Sequence, residues 1–203
     1  MKFKKKLLIY LARKESSYFW YFIDNLACKL DKIAEIYGKK SIGDEYKKEY
    51  DTIGISKSDK VLHVGCGSFP LTEITLVETT NANIVGIDKN LEAVKSAKDI
   101  VHRKNLNDKI KIDHGDGINY PVEKFDVVIL SSCASPKEKI IQRIFKEVKN
   151  DCKIIIREID TAVEPVHKNI DLHEDIILME KIRHHPFLFP KPFGWQSFYL
   201  VKK

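Results

Sequence analysis

A glycine turn between a predicted strand and a predicted helix constrains the fold of this chain more than any other segment. The apolar run 61–64 stops at Gly65-Cys66-Gly67, and a helical pattern follows. A second apolar run, 84–87, ends at Asp88, about 20 residues after the glycines. Glycine lets a strand turn sharply and lets its backbone approach a ligand, and a carboxylate at the end of the next strand can accept hydrogen bonds from a ribose. The spacing therefore predicts a site for a nucleoside-containing cofactor.

The third glycine of the dinucleotide-binding pattern is absent. Phe69 and Pro70 stand where it would fall, and a bulky side chain crowds the place that a pyrophosphate occupies at a helix N-terminus. A nucleoside without phosphate groups is therefore favoured over NAD, although a glycine pair also occurs in βα turns for folding reasons alone. The predicted cofactor is S-adenosylmethionine.

Predicted strands and helices alternate regularly from residue 60 onward, which is typical of a parallel sheet with helices on both faces. The runs 127–130 and 154–156 are continuously apolar, as expected for strands buried on both sides. The expected fold is α/β: a Rossmann-like, doubly wound, mostly parallel sheet of the class I S-adenosylmethionine-dependent methyltransferase type, with an antiparallel last strand and preceding N-terminal helices. The predicted strands are Lys60–Val64, Asn83–Asp88, Ile110–His114, Phe125–Ser131, Cys152–Glu158 and, after Pro186, Pro190 and Pro192, Gln196–Lys202; the helices are Leu71–Glu78, Leu91–Lys104 and Pro136–Lys149, and Ile176–His185 is open between helix and strand.

The N-terminal region is predicted to be helical. Apolar residues recur at helical spacing from Leu7 to Tyr37, with a break capped by Ser16 and Ser17 and an end at Gly38. A third helix is predicted over residues 42–51.

Two units are predicted: a helical cap over residues 1–55 and a cofactor-binding domain over 56–203. The aromatic run Tyr18–Phe22 surrounds the first helix. Part of it is therefore expected to face the main domain, a partner chain or a substrate.

The net charge of +6 raises the question of a nucleic-acid partner. However, the basic residues are spread along the chain, and the densest run is Lys2–Lys6. No aromatic-interleaved stripe or Arg-rich cluster accompanies them, so nucleic acid is not the expected partner. A non-catalytic or RNA-associated domain of the same fold is kept as an alternative.

The four cysteines lie far apart and show no metal-ligand spacing. They are typical of a reducing cytoplasm, and no run of about 18 apolar residues predicts a membrane span. The protein is therefore expected to be cytoplasmic, with no metal site and no membrane partner. A homo-oligomer is left open.

Ligands of open α/β sheets bind beyond the C-terminal ends of the strands. Asp116, after the third strand, could accept the adenine amine, although Asp-Gly is also an ordinary turn. Ser131 and Ser132 would lie below the reacting sulfonium, or cap the next helix. The predicted cofactor-binding residues are Gly65, Cys66, Gly67, Phe69, Pro70, Asp88, Lys89, Asp116, Gly117, Ser131 and Ser132.

The segment from Gly65 to Thr72 resembles the Gly-Ser-Gly-Pro-Leu-Pro-Leu-Thr signature of the nicotianamine synthase family, which includes archaeal members and bacterial opine-metallophore enzymes. His63 departs from the acidic residue that is usual two places before the first glycine in methyltransferases, and only about sixty residues precede the glycines where family members carry a longer helical domain. The resemblance extends from about Glu45 to Lys203 and takes in Ile87-Asp88, 125–128, 137–139, Arg157 and His185-Pro186.

This resemblance implies transfer of the aminocarboxypropyl arm of S-adenosylmethionine, instead of its methyl group, to an amine of a small amino-acid-derived substrate. It also implies a glutamate before the first strand that holds the substrate amine. Glu45 and Glu49 both fit, and Tyr46 or Tyr50 could orient the amine, although on a solvated helix these would be surface groups. The predicted catalytic residues are Glu45, Glu49 and Tyr50. A methyltransferase acting on a small molecule is the main alternative.

Overall fold

The computed structural model describes residues 3–39, 41–186 and 194–203. Within them, seven strands form one sheet in the order β3-β2-β1-β4-β5-β7-β6. The strands are β1 (Lys60–Val64), β2 (Asn83–Asp88), β3 (Ile110–His114), β4 (Val127–Leu130), β5 (Lys153–Ile159), β6 (Ile176–His184) and β7 (Trp195–Lys202). The helices are α1 (Phe3–Lys29), α2 (Asp31–Lys39), α3 (Ile42–Ile53), α4 (Leu71–Thr80), α5 (Leu91–Arg103), α6 (Lys137–Glu147) and α7 (Val163–Asp171).

The sheet confirms the predicted fold class. Strands β1 to β5 are parallel, and β7 runs antiparallel between β5 and β6. The chain moves outward from β1 to β3 and then returns to place β4 on the other side of β1. This reversal opens a crevice at the C-terminal ends of β1 and β4, which is where doubly wound folds bind their ligands.

The central strands are buried on both faces. Val127 and Ile129 of β4 pack on one side with α4 and α5, whereas Val128 and Leu130 pack on the other with α6 and α7. This two-sided burial explains the continuous apolar runs in the sequence. No helix among the described residues is long and apolar enough to cross a bilayer.

The N-terminal helices differ from the prediction at two points. Helix α1 continues through Ser16 and Ser17, so neither serine caps a break, and Ser16 is buried. The interruption falls at Leu30, where hydrogen bonds still connect α1 to α2. Gly38 lies inside α2 and does not end it. Its backbone packs against Gly43, where an added Cβ would sit 1.6 Å from the Gly38 oxygen.

The C-terminal part contains an α-helix, preceded by a short 3-10 helix at Asp160–Ala162, that the sequence did not reveal. Helix α7 carries Pro165 near its start, where proline is tolerated but obscures the helical pattern. The segment left open between helix and strand is β6, whose largely exposed pattern suits a strand at the sheet edge. Pro190 and Pro192, and Lys2 of the basic run, lie outside the described residues.

Candidate functional site

A cavity of about 220 Å³ lies at the C-terminal ends of β1, β2 and β4. The turn after β1 forms its floor, and the second half of α1 closes it from above. The site is therefore built from the sheet crevice together with a helix that precedes the sheet in the chain.

The glycine turn is shaped for close approach of a ligand. Gly65 and Gly67 have φ values of 89° and 70°, which L side chains rarely adopt. A Cβ on Gly65 would lie 3.1 Å from the Ser131 Cβ, and one on Gly67 would lie 2.4 Å from an Asp24 carboxylate oxygen. Side chains at these two positions would fill the space above the turn. Because glycines stand there, the turn fits a nucleoside that lies directly against the backbone.

Asp88 lies at the end of β2, as the spacing predicted. Its Oδ2 accepts the Gly67 N–H at 3.1 Å, and its Oδ1 accepts the Asn90 N–H at 2.9 Å. These bonds hold the carboxylate at the cavity edge and leave each oxygen a further lone pair for a ribose hydroxyl.

The other predicted cofactor residues mostly reach the cavity. Asp116 does so while its Oδ1 accepts the Ile118 N–H at 3.0 Å, so it serves the local turn as well. Lys89 donates to the Ser135 carbonyl at 2.9 Å. Pro70 does not line the cavity. Those that line it are Gly65, Cys66, Gly67, Phe69, Asp88, Lys89, Asp116, Gly117, Ser131 and Ser132.

An acidic residue that the sequence reading missed, Asp24, lies against the glycine turn. Its carboxylate accepts the backbone N–H groups of Ser68 and Phe69, and the Tyr37 hydroxyl donates to its Oδ1 at 3.1 Å. Tyr37 also lines the cavity and is itself buried. The helical cap thus places a carboxylate and a phenol beside the cofactor site.

Burial changes the acidity of this pair. Desolvation raises the pKa of Asp24 to about 7, although the Tyr37 hydroxyl and the backbone N–H groups act in the opposite direction. Desolvation and the neighbouring Asp24 also raise the pKa of Tyr37 well above its ordinary value. A carboxyl group that titrates near neutral pH can both take and return a proton under working conditions.

The three residues predicted to be catalytic do not line this cavity. Glu49 is fully buried and accepts hydrogen bonds from Arg157 Nε at 2.9 Å and Nη2 at 2.7 Å, from Trp195 Nε1 at 3.2 Å and from Ser197. The hydroxyl of Tyr50 is buried and donates to the Thr72 carbonyl at 2.9 Å. Both side chains are occupied by contacts within the protein.

Glu45 is likewise held by neighbours, with its Oε2 2.8 Å from His184 Nδ1 and its Oε1 2.7 Å from Lys48 Nζ. Lys48 and His184 lower the pKa of this carboxyl against the opposing effect of partial burial. On the same helix, Tyr46 does line the cavity, and the Arg157 guanidinium lies 3.7 Å from its ring centroid. Helix α3 therefore presents Tyr46, and not its two glutamates, to the cofactor side.

Replacing Gly67 with alanine is expected to weaken S-adenosylmethionine binding by about 10-fold or more, because the new Cβ would displace Asp24 and fill the space above the turn. Gly54 provides a matched control, since its φ is 64° but its nearest neighbour to an added Cβ is Lys153 Nζ at 4.0 Å. Calorimetric titration of both variants should show the loss only for Gly67→Ala. Equal affinities would contradict the assignment of the turn.

The sheet order, the glycine turn and the carboxylate at the end of β2 define the class I S-adenosylmethionine-dependent fold. The chain belongs to the methyltransferase domain family, whose model matches residues 55–187. Its cofactor is S-adenosylmethionine.

Individual related proteins match only part of this chain. Over 102 residues the chain is 34% identical to the sterol 24-C-methyltransferase of Saccharomyces cerevisiae, which covers 47% of this chain and 26% of that protein. The chain thus spans about a quarter of the sterol methyltransferases that it matches. A probable cobalt-precorrin-6B C(15)-methyltransferase of Methanobrevibacter smithii is 24% identical over 130 residues, covering 62% of this chain and 68% of the relative.

Among solved structures, MtNAS, a nicotianamine synthase, superposes with a TM-score of 0.77 at 16% identity. The match covers 100% of this chain and 78% of MtNAS, and that structure contains MTA and tNA. Another MtNAS structure contains S-adenosylmethionine. The similarity shows a shared fold that includes the N-terminal helices.

Proposed function

We propose that this protein transfers the aminocarboxypropyl arm of S-adenosylmethionine to an amine of a small amino-acid-derived substrate. The observation that carries the proposal is the Asp24 carboxylate, held against the glycine turn and bonded to Tyr37. An amine that attacks carbon must lose a proton, and a carboxylate with a pKa of about 7 beside the cofactor can receive it.

S-Adenosylmethionine supplies an electrophilic carbon on a sulfonium sulfur: the amine nitrogen forms a bond to this carbon, the carbon–sulfur bond breaks and its electron pair stays on sulfur. The protein's residues orient the cofactor and remove the proton from the substrate amine. Asp88 fixes the ribose end, and the bare backbone of Gly65 and Gly67 lets the nucleoside lie close to the sheet. Asp24 accepts the amine proton, and the Tyr37 hydroxyl stabilises the carboxylate that does so.

The choice of the aminocarboxypropyl arm is supported by the extent of the MtNAS superposition. It includes α1 to α3, the helices that carry Asp24, Tyr37 and Tyr46 to the cavity. The presence of MTA, methylthioadenosine, in an MtNAS structure agrees with this chemistry, because methylthioadenosine is the fragment that remains when the aminocarboxypropyl arm leaves.

Methyl transfer to a small molecule is the second candidate. The family model and the related sequences favour it, since they are methyltransferases. The same cavity and the same acid–base pair would serve this reaction, because it differs only in which carbon of the sulfonium faces the amine.

The by-product separates the two reactions. Purified protein incubated with S-adenosylmethionine and a pool of amino acids and polyamines is expected to release methylthioadenosine, detected by mass spectrometry. S-Adenosylhomocysteine without methylthioadenosine would contradict the proposal and support methyl transfer. The same incubation without protein provides the background for both products.

A further inference from the structure

A second cavity lies beside the cofactor cavity, between the first part of α1, the segment after β4 and α7. Its volume is about 1130 Å³, against about 220 Å³ for the cofactor cavity. The two share a wall made by Ser17 and Tyr21 of α1 and by residues 132–135. A molecule in this second cavity, here called the α1–α7 groove, would reach the cofactor at that wall.

The cofactor cavity leaves little room for an acceptor beside a bound nucleoside. Its volume of about 220 Å³ lies below the range of about 300–1,000 Å³ for pockets that hold drug-sized molecules. An acceptor would therefore extend beyond this cavity, and the α1–α7 groove adjoins it at the shared wall.

The groove is lined largely by aromatic and apolar side chains. Tyr10, Tyr18 and Tyr21 are 60%, 64% and 56% exposed, an unusual amount of aromatic surface for one helix, and Ile9 and Pro165 add apolar contact. Tyrosine rings combine an apolar face with a polar tip and favour flat ligands. The lining thus suits an acceptor with an aromatic body.

The charges in the groove are unbalanced. Among the described residues, Lys6 and Lys14 form no salt bridge, and the single carboxylate in the lining, Glu138, accepts from Arg13 at 2.8 Å. Lys14 Nζ lies 5.8 Å from the Tyr18 ring centroid, which places positive charge beside the aromatic surface. An acidic group on a ligand in the groove would pair with these two exposed lysines.

We propose that the α1–α7 groove is the acceptor site and that it selects a small amine that also carries an aromatic ring and a carboxylate. The aromatic body lies along Tyr10 and Tyr18, the carboxylate lies near Lys6 and Lys14, and the reactive end reaches the cofactor at the shared wall. The inference rests on the proposed function, because it places the acceptor of that reaction.

Calorimetric titration of the protein saturated with S-adenosylmethionine tests this inference. The probes are 4-phenylbutyrate, butyrate, which lacks the ring, and 4-phenylbutan-1-ol, which lacks the charge. We expect 4-phenylbutyrate to bind about 10-fold more tightly than either of the others. Equal affinities, or displacement of the cofactor by 4-phenylbutyrate, would overturn the inference.

Substitutions of groove-lining residues test which side chains contact the probes. Lys6→Gln with Lys14→Gln should raise the Kd of 4-phenylbutyrate about 10-fold and leave that of the alcohol unchanged. Tyr18→Ala should weaken both aromatic probes about 5-fold. The controls lie on the same helix but outside the groove: Lys4→Gln with Lys29→Gln, and Phe22→Ala, which removes a ring that is 62% exposed. Equal losses in the controls would overturn the inference.

The cofactor titration separates this inference from the proposed function. If wild-type protein does not bind S-adenosylmethionine, the proposed function fails and the groove loses its role. If the cofactor binds and methylthioadenosine is formed, but 4-phenylbutyrate shows no preference for the groove, the inference alone is overturned.

Discussion

Replacing Asp24 with asparagine is expected to slow the transfer reaction by about 100- to 10,000-fold, which is the usual contribution of a general base. Asparagine keeps the shape and can still accept the N–H groups of Ser68 and Phe69, so the glycine turn should persist. Steady-state kinetics should therefore show a loss in kcat, while calorimetry shows an S-adenosylmethionine Kd within a few-fold of wild type.

The activity of the wild-type protein is expected to increase with pH. Because burial raises the pKa of Asp24 to about 7, the carboxylate forms and kcat/KM rises as the pH increases through about 7. Tyr37→Phe removes a hydroxyl that stabilises the carboxylate and should move this rise to higher pH. Asp24→Asn should abolish it. An unchanged profile in both variants would contradict the assignment.

Stability should change in the opposite direction from activity. The pKa of Asp24 is about 7 in the folded protein and about 4 in the unfolded chain, so folding favours the protonated form. The contribution of this group to stability is therefore fully present below about pH 4 and is lost as the pH rises through about 7. Asp24→Asn should therefore have a higher Tm than wild type at pH 8. Asp99→Asn, an exposed change on α5, is the control and should alter neither Tm nor kcat.

Replacing Glu49 with alanine is expected to cost about 3–5 kcal/mol of unfolding free energy, because it leaves a buried arginine without its counter-charge. Arg157 is 3% exposed, and the other groups that donate to Glu49, Trp195 and Ser197, would lose their acceptor as well. Urea denaturation monitored by circular dichroism measures the effect.

Glu92→Ala removes the carboxylate of an exposed pair with Lys95 and provides the control, which should leave the unfolding free energy nearly unchanged. Glu49→Gln separates a structural role from the catalytic role that the family resemblance implied. Unchanged stability with lost activity in Glu49→Gln would restore Glu49 as a catalytic group. Parallel losses of stability and activity would support the buried pair.

The cofactor half of the site was predictable because its signals are local. The glycine turn and Asp88 lie on consecutive strands, and the sheet geometry brings them together with no information from elsewhere. The alternation of strands and helices predicted the parallel sheet, whereas the strand order is known only from the structure. Of the eleven residues predicted to bind the cofactor, all but Pro70 line the cavity.

The part of the site formed by Asp24 and Tyr37 was not predictable in the same way. Asp24 lies about 40 residues before the glycine turn in the chain and reaches it only through the fold. One signal was nevertheless present: Ser17, Trp20, Tyr21 and Asp24 recur at helical spacing and all line the cavity. That stripe mixes polar and aromatic residues and so differs from a core-facing stripe. The family resemblance directed attention to α3 instead, where Glu49 is buried and accepts a hydrogen bond from Arg157.

The stretch that identifies the family runs from residue 55 to 187. It contains the glycine turn and Asp88, but Asp24 and Tyr37 lie before it and β7 lies after it. The recognisable module therefore carries the means to hold a cofactor without the acid–base pair assigned here to the reaction. A homologue that kept this module and exchanged its leading helices would keep its cofactor and could acquire a different chemistry, so these helices are where relatives of this chain should diverge in activity.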